Sequence, residues 1–250
     1  MHLFIRLSYN GSAFSGWQSQ PNAPSVQAEL ERALSIAFHE KIEVVGAGRT
    51  DAGVNARGYF ASFDISSDMV EDADSVCSKI NAILPKGIVV SGLYSVPPQA
   101  HARFDAVSRT YRYYLHTAKD PFASLSYFYT FPLDLEAMNK AAKRLIGTRD
   151  FSCFEKTGAD NATSICTVTE AGWERIDDSH LVFTISANRF LRNMVRAVVG
   201  TLLDIGRGRH GVEWIDEVLA SGDRCRAGQS VPGEALFLEE VQYGFEMKKL

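Results

Sequence analysis

Residues 46–53 read Gly46-Ala47-Gly48-Arg49-Thr50-Asp51-Ala52-Gly53, which sets one carboxylate and one guanidinium in a glycine-flanked loop directly after an apolar run. A carboxylate so placed can act as a nucleophile or a base, and it can equally close a turn on its own backbone. The segment opens like a dinucleotide-binding fingerprint, but Asp51 occupies the place of the third glycine and no helical pattern follows, which disfavours a Rossmann site. A second stretch, His101-Ala102-Arg103-Phe104-Asp105 on to Arg109-Thr110-Tyr111-Arg112-Tyr113-Tyr114, interleaves three arginines with four aromatics against a single aspartate. That mixture suits a surface that grips phosphates and stacks bases, and it also suits an amphipathic strand with wet tyrosine hydroxyls. The third stretch, residues 189–209, holds Arg189, Arg192, Arg196, Arg207 and Arg209 against Asp204 alone. It is a local concentration of positive charge in a chain whose net charge is −4. No P-loop, G-x-S-x-G elbow, H-E-x-x-H or Cys/His pair at metal-ligand spacing occurs, so neither a metal site nor a small-molecule cofactor is expected.

The elements that must position these residues follow a repeated order. Leu3, Ile5, Leu7 and Tyr9 alternate with Phe4, Arg6 and Ser8, the period of a strand with one face in a core. A helix follows through Val26, Leu30, Leu34 and Phe38, then short strands over 42–47 and 59–65. Asp72 and Asp74 open a second helix that Pro85 stops, and a strand over 88–94 completes βαββαβ. A strand at 111–115, a helix over 134–144, strands over 165–175 and 181–187, a helix over 191–205, a shorter one over 212–220 with Gly222 as its C-cap, and a strand over 236–243 repeat that order. On this helix Arg192 and Arg196 stand one turn apart, and Gly200 leaves room beside Arg196. The stretch 150–164 has no period and reads as a long loop. The expected fold class is therefore α+β, in two βαββαβ halves with antiparallel sheets, over 1–105 and 106–250.

The chain has 250 residues, 46% of them hydrophobic and 22% charged, which excludes disordered and low-complexity classes. Its four cysteines lie far apart, so a disulfide framework is not expected. Arg6 interrupts the apolar N-terminus, and no stretch approaches a membrane span. A cytoplasmic protein without a membrane partner is expected.

Together, these segments resemble the TruA-type tRNA pseudouridine synthases. Gly48-Arg49-Thr50-Asp51-Ala52-Gly53-Val54 is similar to that family's catalytic motif, and Tyr9-Asn10-Gly11 with Phe14-Ser15-Gly16-Trp17-Gln18 to its N-terminal motif. Ala102-Arg103-Phe104-Asp105-Ala106 with Arg109-Thr110-Tyr111, and Phe190 to Gly200, match two more in the family's order. The resemblance implies Asp51 as the catalytic aspartate, Arg49 as a group that displaces the target base, Tyr111 as the aromatic under the target uridine, and Arg196 as the partner of Asp51. His101, Arg103 and Phe104 are implied as substrate-binding. It also implies two ferredoxin-like halves around a central basic cleft, a homodimer, and tRNA as partner, with modification of uridines 38, 39 and 40 of the anticodon arm. Three departures stand out: Asn55 where family members usually have His, Gly87 where an acidic residue commonly stands, and a loose C-terminal motif over Val231 to Ala235.

The rival reading is a tandem RNA-binding protein that stacks bases without catalysis, for which Tyr59, Phe60 and Phe63 would have to be exposed on a central strand. It leaves the Arg49/Asp51 loop unexplained. A ferredoxin-like small-molecule enzyme leaves the arginine-rich stretch unexplained.

Overall fold

The computed structural model describes residues 1–67, 70, 72–158 and 162–250. The chain divides into two compact units, Met1–Val107 with Leu238–Leu250, and Ser108–Phe237. It is a mixed α/β protein with mostly antiparallel strand pairs and, among the described residues, five α-helices.

In the first unit β1 (His2–Tyr9) leads through a short 3-10 turn to α1 (Val26–Phe38), then β2 (Val45–Gly46), β3 (Asn55–Asp64), α2 (Ala73–Ile83) and β4 (Ile88–Ser95). The strands lie in the order β4-β1-β3-β2, each antiparallel to its neighbour. Both helices start where an acceptor side chain meets their unpaired N–H groups: Ser25 receives Ala28 N–H, and Asp72 receives Ser75 N–H. Asp72 thus opens its helix as its sequence position indicates. The apolar run at 42–47 contributes only two residues of strand, with Ile42 and Val44 buried beside α1. β1 keeps one face in the core as its alternation indicates, with Leu3, Ile5, Leu7 and Tyr9 buried, Arg6 exposed and His2 and Ser8 half-buried, and Phe4 is the exception on the other face. Phe4 is fully buried because Tyr243 and Phe245, distant in sequence, set their rings against it at 5.1 and 5.9 Å. β3 is buried on both faces: Tyr59, Phe60 and Phe63 are 0%, 6% and 2% exposed, so the platform needed by the RNA-binding rival does not exist on this strand.

The second unit runs β5 (Ala106–His116, its first two residues counted with the first unit), β6 (Tyr127–Phe128), α3 (Leu135–Lys143), β7 (Gly147–Asp150), β8 (Ile165–Arg175), β9 (His180–Ala187), α4 (Met194–Gly206) and α5 (Trp214–Ser221). β9 lies between β5 and β8, antiparallel to both, and β7 extends the far edge. β10 (Leu236–Tyr243) starts in this unit beside β5 and ends in the first unit beside β3, and β11 (Lys248–Lys249) pairs with β4. Gly222 closes α5 in the left-handed conformation, as expected of a C-cap. The stretch 150–164 is not a featureless loop: Phe151, Cys153 and Phe154 are fully buried through a 3-10 turn, while residues 159–161 lie outside the described residues.

α4 begins three residues later than its apolar period indicates. Asn193 sits at φ 67°, a left-handed conformation that asparagine tolerates and a helix does not, and its amide donates to Ser230 Oγ at 2.7 Å. Arg192 therefore precedes the helix and is not one turn from Arg196 along it. Nor does Gly200 leave space beside Arg196. A Cβ there would lie 1.8 Å from the Gln229 carbonyl oxygen, and one at Gly228 would lie 2.6 Å from Thr201 N, so the 228–229 main chain rests directly on the helix main chain. Thr201 Oγ1 fixes the contact by accepting from Gly228 N–H at 2.8 Å. Gly200→Ala should lower the urea midpoint by the equivalent of about 1–3 kcal/mol or more, the ordinary cost of overpacking. Gly172→Ala, whose methyl would meet only Asn139 Oδ1 at 3.7 Å, should change it by about 0.5 kcal/mol or less. Equal midpoints for the two variants would remove the main-chain contact from its role.

Candidate active site

The loop carrying Asp51 spans the gap between β2 and β3, and its main chain is tied at nearly every residue. Ala47 N–H donates to the Phe60 carbonyl at 2.8 Å, and the Tyr59 hydroxyl donates to the Gly48 carbonyl. Thr50 turns inward, 9% exposed, with its hydroxyl 2.9 Å from the Tyr9 phenol. Its carbonyl accepts from Trp17 N–H at 3.3 Å, Asp51's accepts from Val54 N–H at 3.2 Å, and Gly53 N–H donates to the Phe14 carbonyl at 3.4 Å. Arg49, on one side of Thr50, is exposed, and Asp51, on the other, is half-buried. The loop thus points Ala47, Thr50 and Val54 inward and presents its two charged side chains at the surface of the unit.

The partner of this loop is the segment Tyr9 to Trp17. A Cβ at Gly11 would stand 2.1 Å from the Val54 carbonyl oxygen, and one at Gly16, where φ is +99°, would stand 2.3 Å from the Thr50 carbonyl oxygen. Only glycine allows the two main chains to meet here. Beneath them Trp17 stacks on Tyr59 at 4.2 Å and Tyr9 meets Tyr59 edge-on at 5.6 Å, all three rings buried. Asn55, fully buried, accepts Gly11 N–H at 2.8 Å. Gly87 accepts Asn10 N–H on its carbonyl at 2.9 Å. The Asn55 side chain is therefore used in holding the clamp, whereas Gly87 contributes a main-chain carbonyl that any residue would offer.

His101, Arg103 and Phe104 form a tight turn in the same unit. The His101 Nδ1 accepts from the backbone N–H of Arg103 and of Phe104 at 3.1 and 3.2 Å, which leaves its proton on Nε2. Asp105 accepts His101 N–H at 2.7 Å. Phe104 is 73% exposed, with its ring 4.3 Å from that of His101 and the Arg103 guanidinium 5.5 Å from its centre. This is an outward-facing aromatic and cationic knob on a rigid turn.

In the second unit Arg109, Tyr111 and Tyr113 share one face of β5 and grade from half-buried to buried. Tyr111 meets Phe190 edge-on at 5.1 Å. The Tyr113 hydroxyl donates to the Pro232 carbonyl at 3.1 Å, and burial pushes its ionisation far above the usual tyrosine range, with the nearby Arg196 charge acting weakly the other way. Arg196 Nε donates to the neighbouring Val231 carbonyl at 2.7 Å. The tyrosine face of β5 and the first turn of α4 therefore meet at Val231–Pro232, the very residues where the C-terminal motif is loose. The five arginines do not form one compact patch. α4 spans about 20 Å, with Arg189 and Arg192 before it and Arg207 and Arg209 beyond it. Arg207 lies 3.6 Å over the Phe131 ring and Arg209 pairs with Asp204 at 2.8 Å.

A family model described as tRNA pseudouridine synthase matches residues 141–244. The chain is 50% identical over 245 residues to tRNA pseudouridine synthase A of Parabacteroides distasonis, an alignment covering 98% of this chain and 96% of that one. It is 39% identical over 240 residues to the enzyme of the same name from Acetivibrio thermocellus, covering 95% and 97%. The chain belongs to the tRNA pseudouridine synthase family. It is accordingly an isomerase that acts in tRNA pseudouridylation. No helix among the described residues is long and apolar enough to cross a membrane.

In this synthase the sequence motifs name Asp51, Arg49, Tyr111 and Arg196 but not what holds them. Tyr59 carried no motif and reads only as a strand aromatic, and Thr50 is silent inside the catalytic motif. Asn55 offers a direct check on the clamp. Asn55→Ala leaves Gly11 N–H buried without this acceptor, so it should cost about 1–3 kcal/mol in urea unfolding. Asn55→His, whose Nδ1 can take the place of Oδ1, should retain more of the stability. A His variant no better than Ala would show that this hydrogen bond is not what Asn55 contributes.

Proposed function

We propose that this synthase converts uridine to pseudouridine at positions 38, 39 and 40 of the tRNA anticodon arm, with Asp51 as its catalytic carboxylate. The observation that carries the reading is the loop itself: a single carboxylate held half-exposed while residues on both sides of it are anchored by main-chain hydrogen bonds and buried rings. The reaction breaks the bond from ribose C1′ to N1, turns the uracil, and joins C1′ to C5, while the hydrogen on C5 is lost and N1 gains one. Atoms and electrons balance, so one ionised carboxylate suffices, either attacking C1′ or taking up a ribose proton.

The uridine lies in a stacked arm and must be turned out of it before the carboxylate can reach the sugar. Arg49, exposed two residues before Asp51, is assigned to fill the place the base leaves. Tyr111 is assigned to the face of the extruded uracil, where Phe190 already braces its ring edge-on. Arg196 is assigned as the cation answering Asp51, because the Val231 carbonyl holds its Nε and fixes the direction of the guanidinium. His101, Arg103 and Phe104 are assigned to the flanking tRNA backbone and bases, on the strength of the exposed ring and guanidinium of their turn.

We also infer ferredoxin-like halves, supported by the order β4-β1-β3-β2 in one and the corresponding β10-β5-β9-β8 in the other. A basic cleft for the anticodon arm and a homodimer in the cytoplasm complete the proposal. Light scattering at the mass of a monomer would remove the dimer.

The test is to incubate the protein with an unmodified tRNA transcript and map pseudouridine. Product confined to positions 38–40, lost when those uridines are replaced by cytidine, is expected; product elsewhere overturns the assigned positions. Asp51→Asn should retain less than about 1% of the rate with tRNA binding nearly unchanged, since the side chain contributes little burial. Turnover near wild type would take Asp51 out of the central role. For Tyr111, stacking on a base is worth about 1–3 kcal/mol. Tyr111→Phe should bind and turn over close to wild type, whereas Tyr111→Ala should lose most turnover. Equal loss in both would show that the hydroxyl is the operative group.

A further inference from the structure

Thr50 separates the two charged residues of the loop and is the one whose side chain points inward, where its hydroxyl meets the Tyr9 phenol at 2.9 Å in a buried setting. Its neighbours along the loop are fixed through the main chain, Gly48 by the Tyr59 hydroxyl and Gly53 by the Phe14 carbonyl. Bonds to the loop's main chain survive substitution of the loop residues themselves. The hydroxyl pair does not, and it lies one residue from the carboxylate. Tyr9 in turn is locked by ring contacts with Tyr59 at 5.6 Å and Trp17 at 6.3 Å, so its hydroxyl is a fixed point. The Thr50 carbonyl is itself held by Trp17 N–H at 3.3 Å, and the hydroxyl pair adds a side-chain restraint at this residue, next to the one that bears the Asp51 carboxylate.

We propose that Thr50 and Tyr9 are positioning residues for the isomerisation, their paired hydroxyls fixing the direction of the Asp51 carboxylate toward the sugar. The proposal rests on Asp51 being the catalytic carboxylate. Positioned groups lose rate steeply with displacement, because a reacting pair must stand within a few tenths of an ångström of its productive separation. Loss of the pair should therefore act on kcat and leave tRNA binding alone, since neither hydroxyl reaches the surface.

The experiment compares Thr50→Val, Thr50→Ser, Tyr9→Phe and the double variant Tyr9→Phe/Thr50→Val with wild type and Asp51→Asn, in single-turnover assays on one tRNA transcript. Thr50→Val keeps the shape and removes the hydroxyl; Thr50→Ser keeps the hydroxyl. Expected is a loss of about tenfold or more in kcat for Thr50→Val and for Tyr9→Phe, with KM within about twofold of wild type. Thr50→Ser should recover most of the rate, and the double variant should be no slower than the slower single one, the signature of one shared interaction. Thermal unfolding is read alongside. If Thr50→Val and Tyr9→Phe lose stability but keep kcat, the pair is only structural and the proposal fails. It fails equally if the two losses multiply in the double variant. If Asp51→Asn is itself active, the assignment of Asp51 fails, and that result is distinguishable from a failure at Thr50 because it appears in a different variant.

Discussion

Two main chains meet without side chains between them where the segment Gly11 to Gly16 crosses the loop Thr50 to Val54, and the geometry of the first unit follows from that contact. Carbonyl oxygens of the loop stand where the Cβ atoms of Gly11 and Gly16 would be, so neither glycine can be replaced without pushing the loop away. The same segment reaches further: the Gly16 and Trp17 carbonyls accept the N–H groups of Val26 and Gln27, which belong to the unpaired first turn of α1. One stretch of chain thereby ends β1, caps a helix and holds the loop. The buried rings of Tyr9, Trp17 and Tyr59 supply the apolar burial that keeps it in place, and each phenol also has a polar partner, as buried hydroxyls require.

The second unit uses the same device at α4. Gly200 and Gly228 let a loop lie on a helix at main-chain distance, Thr201 pins it, and the loop then offers the Val231 carbonyl to Arg196 and the Pro232 carbonyl to Tyr113. A guanidinium whose Nε is committed to a main-chain carbonyl keeps its two terminal nitrogens in a known plane. That arrangement suits an arginine whose partner is an anion of fixed position, and lysine could not reproduce it.

How much of this was legible in the sequence depends on the range of the interaction concerned. Helix starts at Asp72 and Asp134 and the stop at Gly222 are set by residues within one turn, and the pattern located them. α4 was misplaced by three residues because Asn193 leaves the helical region to reach Ser230, thirty-seven residues away, and no periodicity records that. The burial of Phe4 on the otherwise open face of β1 depends on Tyr243 and Phe245 at the other end of the chain, which alternation does not record. The short strands β6, β7 and β11 carry too few residues to show a period. At the proposed site, motif and spacing singled out the charged residues, because the chemistry proposed for them allows one residue type. They marked Asn55 only as a departure from the family pattern and assigned no role to it, to Thr50 or to Tyr59, because a residue that acts by holding another is recognisable only once its partner's position is known.

Charge shows why a chain of net −4 can serve an anionic substrate. Several arginines are already engaged within their own unit: Arg57 with Glu239 at 2.8 Å, Arg209 with Asp204 at 2.8 Å, Arg144 with Asp216, and Arg207 against the ring of Phe131. Such surface pairs add little stability, but each one removes a positive charge from the field that an approaching phosphate meets. Exposed arginines at 49, 103, 112 and 192 flank Asp51, Phe104, Tyr111 and Arg196 in sequence, and others, among them Arg6, Arg149 and Arg175, are exposed elsewhere. The placement of outward-facing cations, more than the net charge, sets what an approaching phosphate meets. An isomerisation needs no external energy source and makes its demand on placement, and the buried rings, close glycine contacts and carbonyl-held arginine of this fold are the features that fix position.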